Sequence, residues 1–189
     1  MLSDGVFAVV MTLLVLEIKP ELPPHSDNTA VAHALHVLGL PLLSYGFAFF
    51  LTAIFWMLHH RKFLLLRLTD TPHTALTFAF LFGVSLLPFS LSIFLASMNS
   101  SIAEALYFAN FTFIAATLLA GWVYAQQAGL TLVDYPFRIG KALTQRMTLM
   151  TIAGLIGTAA SYFSQRWIFL LLLGLMVWGR IQRRRLAAS

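Results

Sequence analysis

Residues 3–18 read SDGVFAVVMTLLVLEI. A serine and an acid are followed by an almost unbroken apolar run, which closes at Glu17. Pro20, Pro23 and Pro24 follow and end any helix, because proline removes a backbone donor and clashes with the preceding turn. The stretch lacks period-2 alternation, so it does not read as a strand. In hydrocarbon every backbone polar group must be satisfied within the protein, which favours a helix.

The rest of the chain repeats this pattern. Of its 189 residues, 59% are hydrophobic and only 10% charged, with 17 Phe. A soluble domain carries about 25% charged residues. The mean hydropathy of +0.83 fits an integral membrane protein. Further apolar segments are expected at about Val31–Leu58, His73–Met98, Ile102–Ala125, Leu143–Phe163 and Trp167–Ile181. With the first, at Gly5–Ile18, they predict an all-α integral membrane protein of six crossings, one domain over 1–189. The last two are expected to form a tight hairpin at Ser164-Gln165-Arg166. No cleavable leader is expected, because the first apolar run lacks a basic flank and a small-residue cleavage site.

Charge placement orients the bundle. Of the 12 Lys and Arg, three lie at Arg61, Lys62 and Arg67, three at Arg138, Lys141 and Arg146, and four at Arg180, Arg183, Arg184 and Arg185. With six crossings all three clusters fall on one side. The positive-inside rule makes that side, and both termini, cytoplasmic. The same rule explains the net charge of +5 without a nucleic-acid partner. Cysteine is absent, so disulfides and thiolate metal sites are excluded. No nucleophile triad, phosphate-binding loop, HExxH motif or TVGYG filter occurs, so neither an enzyme nor a carbonyl-filter potassium channel is expected.

Several polar residues invite a reading. Asp4 can cap the first helix and favour its dipole, or belong to a network, since an acid in a membrane is costly unless paired or wet. Val9, Thr12, Leu13 and Leu16 are spaced by threes and fours and share one helix face. That face can pack on a neighbour or line a symmetric pore, where apolar rings gate by dewetting. Glu17 lies near the far end, either at a pore mouth or facing headgroups. His59 and His60 are candidate partners for Ser3 and Asp4. Asn110 and the serines at 85, 90 and 92 are candidates for interhelical hydrogen bonds, and Pro88 for a kink. Trp56, Trp122, Tyr124, Tyr135 and Trp178 fit an aromatic belt.

Four stretches together carry a resemblance: Leu2-Ser3-Asp4 with its apolar run, FWMLHHRKF at 55–63, LFGVSLLPFS at 81–90, and Tyr124-Ala125 leading to Leu132-Val133-Asp134. The chain resembles the prokaryotic relatives of the lysosomal potassium channel, transmembrane protein 175, formerly a domain of unknown function. Their signature is an Arg, three variable residues, then Phe-Ser-Asp. Here Leu2 stands in the Phe place, and the Arg position falls before Met1.

The resemblance implies a potassium-favouring cation channel without a re-entrant pore loop. It implies a homotetramer in membrane lipid, with the first helix lining a central pore. The constriction falls on Val9 and the following layers on Thr12, Leu13 and Leu16. Ser3, Asp4, His60 and Trp122 are then the signature network. No cofactor or fixed metal site is implied, only permeating monovalent cations, potassium passing Val9 and Thr12. A secondary transporter or proton-coupled carrier is the competing reading, with a non-conducting structural membrane protein as a third. A transporter would place acids midway along helices or break helices at the midplane, and neither pattern stands out.

Overall fold

The fold is taken from a computed structural model that describes residues 2–19, 25, 27–97, 99–133 and 135–162. Each helix starts and stops for a local reason. α1 (Leu2–Leu16) carries Asp4 in its first turn, where an anion favours the helix dipole. α2 (Asn28–Val37) is capped by Asp27, whose carboxylate accepts from the Ala30 amide at 2.9 Å. A one-residue turn at Leu38 separates it from α3 (Gly39–Leu64). Asp70 caps α4 (Thr71–Ser85) by accepting from the His73 amide, and Pro72 sits in its first turn. Ser100 caps α6 (Ser101–Gln127).

Between α4 and α5 (Leu87–Ala96) the helix breaks at Leu86, two residues before Pro88. This is the kink expected in the third apolar segment. The Leu86 amide is shared between the Phe82 and Gly83 carbonyls, both at 3.2 Å. Past α6, Gly129 takes φ +67, a left-handed turn that costs glycine little. The chain then forms an isolated antiparallel bridge between Leu66 and Thr131, which clips the α3–α4 loop to the loop that follows α6. α7 (Phe137–Ala160) follows Pro136.

The result is an all-α, multi-pass, membrane-like bundle, with no sheet among the described residues. The expectation of six crossings is met in part. Among the described residues, three helical stretches are long and apolar enough to cross by themselves: Gly39–Leu64, Thr71–Ala96 and Ser101–Gln127. α1 has 15 residues, which reach about 22 Å at 1.5 Å each, against about 30 Å of hydrocarbon. α7 is long enough, but Arg138, Lys141 and Arg146 dilute its apolar run. The second expected segment is two helices, broken at Leu38. The segment at 167–181 and the hairpin before it lie outside the described residues.

One core runs through the bundle. Phe7, Val10 and Leu14 of α1 meet Leu51 and Phe55 of α3, Phe80 and Val84 of α4, Leu91 of α5, Ile114, Leu118 and Trp122 of α6 and Met147 of α7. Small residues let the helices approach, as is common where lipid removes the hydrophobic drive between them. A Cβ at Gly157 of α7 would press into the Phe108 ring of α6. A Cβ at Gly83 of α4 would lie 2.9 Å from Ile114. The foreseen interhelical bond is present: the Asn110 amide donates to Ser90 Oγ at 3.1 Å.

Candidate functional site

α1 has two faces, and they differ in kind. Phe7, Val10 and Leu14, spaced three and four apart, are buried to 3% exposure or less. The other face is open: Val9 is 56% exposed, Leu13 42% and Leu16 63%, and Thr12 is exposed beside them. The four residues expected on one stripe therefore do share a face, and among the described residues nothing covers it. Exposed apolar side chains are ordinary in a membrane protein, so their chemistry matters more than their exposure. The open surfaces of α3 to α6 carry Phe50, Phe78, Phe82, Phe89 and Phe113. The open face of α1 carries only aliphatic side chains and one hydroxyl, because the sole Phe of this helix, Phe7, points inward.

Thr12 Oγ1 donates to the Val9 carbonyl at 2.8 Å and the Ala8 carbonyl at 3.0 Å. Donation backward along the helix fixes the hydroxyl hydrogen and leaves the oxygen lone pairs as the outward-facing polar feature. Such an oxygen suits a cation and not an anion. Glu17 is half-buried just past the helix end.

At the opposite end of α1, Asp4 Oδ1 accepts from the Trp56 indole nitrogen of α3 at 2.9 Å. His60, one turn further along α3, stacks on Trp56 with centroids 5.3 Å apart and planes 17° apart. Asp4, Trp56 and His60 thus form one cluster that ties the start of α1 to α3. Ser3 is half-buried nearby on the same turn. Trp122 lies elsewhere. Its indole donates to Thr144 Oγ1 of α7 at 2.9 Å, and its ring meets Tyr135 edge-on.

The aromatic-belt expectation for Trp56 does not include its part in this cluster. The signal was available: Trp56 and His60 are four apart, so they stack on one helix face. Its partner Asp4 is 52 residues away, beyond the reach of any local pattern.

Among the described residues no group of three or more His, Cys, Asp or Glu could hold a metal ion. Outside the spanning helices, the Asp70 carboxyl is held below the usual carboxylate range, first by the hydrogen bond from Tyr124 Oη at 2.6 Å and then by the His73 amide. This bond pins the capped start of α4 to α6.

The fold and this half-open first helix define a class, a multi-pass helical membrane protein whose short first helix leaves one face uncovered by the other described residues. Within that class, the chain is similar to potassium channels of the TMEM175 family. Residues 1–88 match the family model described as the endosomal/lysosomal potassium channel TMEM175. A potassium channel of Chamaesiphon minutus is 31% identical over 131 residues, which are 67% of this chain and 64% of that protein. A potassium channel of Streptomyces collinus is 28% identical over 131 residues, 67% of this chain and 63% of that one. The chain thus aligns with somewhat under two thirds of the length of these relatives.

By structure, it shares the fold of a lysosomal potassium-selective channel TMEM175 homolog from Chamaesiphon minutus. The TM-score is 0.81 at 24% identity, covering 96% of this chain and 94% of the other. A variant of the potassium channel MtTMEM175, in complex with a nanobody fusion, aligns with a TM-score of 0.64 at 18% identity, covering 97% and 91%.

Proposed function

We propose that this chain is one subunit of a potassium-selective cation channel, built as a homotetramer with four first helices around the axis. The observation that carries the reading is the open face of α1: Val9, Thr12, Leu13 and Leu16, aliphatic and hydroxyl side chains with no aromatic among them, opposite a fully buried face. The names of the relatives as potassium channels support it.

In this arrangement Val9 forms an apolar neck and Thr12 a ring of hydroxyl oxygens just beyond it. A hydrated cation must shed part of its water to pass. Potassium is larger and more weakly hydrated than sodium, so the same neck admits it at lower cost. The hydroxyl ring gives back part of the lost coordination. Glu17 at the outer mouth raises the local cation concentration. Asp4, Trp56 and His60, with Ser3, hold the cytoplasmic end of the pore helix in register. All six apolar segments cross, the shorter ones within the assembly, and both termini lie in the cytoplasm.

The reading is tested by potassium, sodium and caesium flux from proteoliposomes, together with the oligomer mass in detergent. A tetramer that passes potassium faster than sodium, at rates far above carrier turnover, supports it. A monomer without flux refutes it.

A further inference from the structure

Behind the pore helix lies a cluster that the channel reading does not use. Lys62 of α3 is 1% exposed, His59 4% and His73 of α4 fully buried. The positive-inside rule puts Lys62 among the basic residues facing the cytoplasm, yet its side chain turns into the bundle. All three basic groups gather on one aromatic ring. The Lys62 ammonium lies 5.1 Å from the Phe63 centroid, the His59 ring 4.7 Å and the His73 ring 5.7 Å. His59 also stacks on Phe80 at 4.9 Å and lies 6.3 Å from Phe7 of the pore helix. Across α6, a Cβ at Gly121 would sit 3.1 Å from Lys62 Nζ, so the absence of a side chain there leaves the ammonium its space.

The cluster is rich in donors and lacks an acceptor of matching charge. His59 Nδ1 and both nitrogens of His73 are buried without a hydrogen-bond partner. A neutral imidazole carries one N–H donor and one acceptor nitrogen, and the ammonium adds three donors and no acceptor, so donors outnumber acceptors and no opposite charge is present. The carboxylates of adjoining elements are engaged elsewhere: Asp4 accepts from Trp56, and Asp70 from the His73 amide and Tyr124. No carboxylate forms an ion pair with Lys62 among the described residues. Buried polar groups are normally hydrogen-bonded and buried charges paired. Water could supply an acceptor but no charge.

We propose that Lys62, His59 and His73 form an internal site for a small monovalent inorganic anion of the halide class. The aromatic walls and the closeness of Gly121 favour a single-atom ion over a phosphate. Phe63 is 37% exposed, so one side chain separates the cluster from the surface. The bound anion neutralises the ammonium behind the pore helix, so that positive charge does not oppose cations at the cytoplasmic end. The ion is structural and does not permeate.

The test uses the full-length assembly in detergent, with bromide as the probe. Thermal unfolding is compared in potassium bromide and potassium gluconate at equal ionic strength. The wild type should melt about 3 °C higher in bromide, as expected when a ligand binds only the folded state. Lys62→Met keeps the volume and removes the charge, so it should fold and melt at the same temperature in both salts. Anomalous diffraction from bromide-soaked crystals should place the ion within hydrogen-bond distance of Lys62 Nζ and a His73 nitrogen. Equal melting of the wild type in both salts, a shift that survives in Lys62→Met, or bromide found only elsewhere would overturn the site. None of these readouts needs conduction, so failure here leaves the channel reading standing, and failure of flux leaves this site standing.

Discussion

α1 and α6 are both apolar helices, yet they finish their packing differently. α6 sits at the centre of the bundle. Ile114, Leu118 and Trp122 are essentially without solvent contact, and α4, α5 and α7 surround it. Among the described residues, α1 is buried on one face only, and it is too short to cross the hydrocarbon unaided. A helix such as α6 does its work by being enclosed, and the bundle depends on it. A helix such as α1 is anchored by half of its surface and offers the other half. The difference separates substitutions that should break the fold from substitutions that should change conduction alone.

The largest effect should come from the enclosed side. Gly157→Leu forces a side chain into Phe108 across the α6–α7 contact, and overpacking at such a site costs about 3 kcal/mol. Unfolding in detergent should show this loss, and flux should vanish with the fold. If flux vanishes without loss of stability, α7 has a direct part in conduction and the contrast fails.

On the open face, Val9→Asn should leave stability within about 0.5 kcal/mol, as for surface positions. It should raise conductance and lower the potassium-to-sodium permeability ratio about fivefold, or about 1 kcal/mol. Bilayer recordings with an unchanged ratio would remove Val9 from the constriction.

Between the two faces lies the anchor. Trp56→Phe keeps a ring for His60 to stack on but removes the donor to Asp4. It should lower the melting temperature modestly and reduce the open fraction in recordings, while the permeability ratio stays unchanged. A changed ratio would mean that the anchor also shapes the neck. Smaller again, Asn110→Leu removes a single interhelical bond, and such bonds average about 0.6 kcal/mol in membranes. A loss of several kcal/mol on unfolding would show that Ser90 and Asn110 support a larger network.

The smallest effect is a pH dependence. Asp70 is depressed by its bonds to Tyr124 and the His73 amide. A depressed folded-state value gives stability that is present above the unfolded value, about 3.9, and is lost as pH falls through the lower folded value. The melting difference between wild type and Tyr124→Phe should therefore be present at pH 7 and close below about pH 4. A difference that is constant across this range would assign the Tyr124 contribution to packing rather than charge.

Local chemistry made much of this legible from residue order. The apolar runs, the break near Pro88, the shared face of Val9, Thr12, Leu13 and Leu16, and the Asn110–Ser90 bond all follow from periodicity, proline sterics or the cost of polar groups in lipid. These properties act within a turn or two, or apply to any residue in hydrocarbon, so the sequence carries them by itself. Tertiary structure alone decided the rest. It chose Trp56 over Trp122 for Asp4, turned Lys62 inward toward His73, broke the second apolar segment at Leu38 and bridged Leu66 to Thr131. Each of these depends on which helices become neighbours and how side chains fit at their contacts. Helical periodicity tells which residues share a face, and only the packed bundle determines what that face meets.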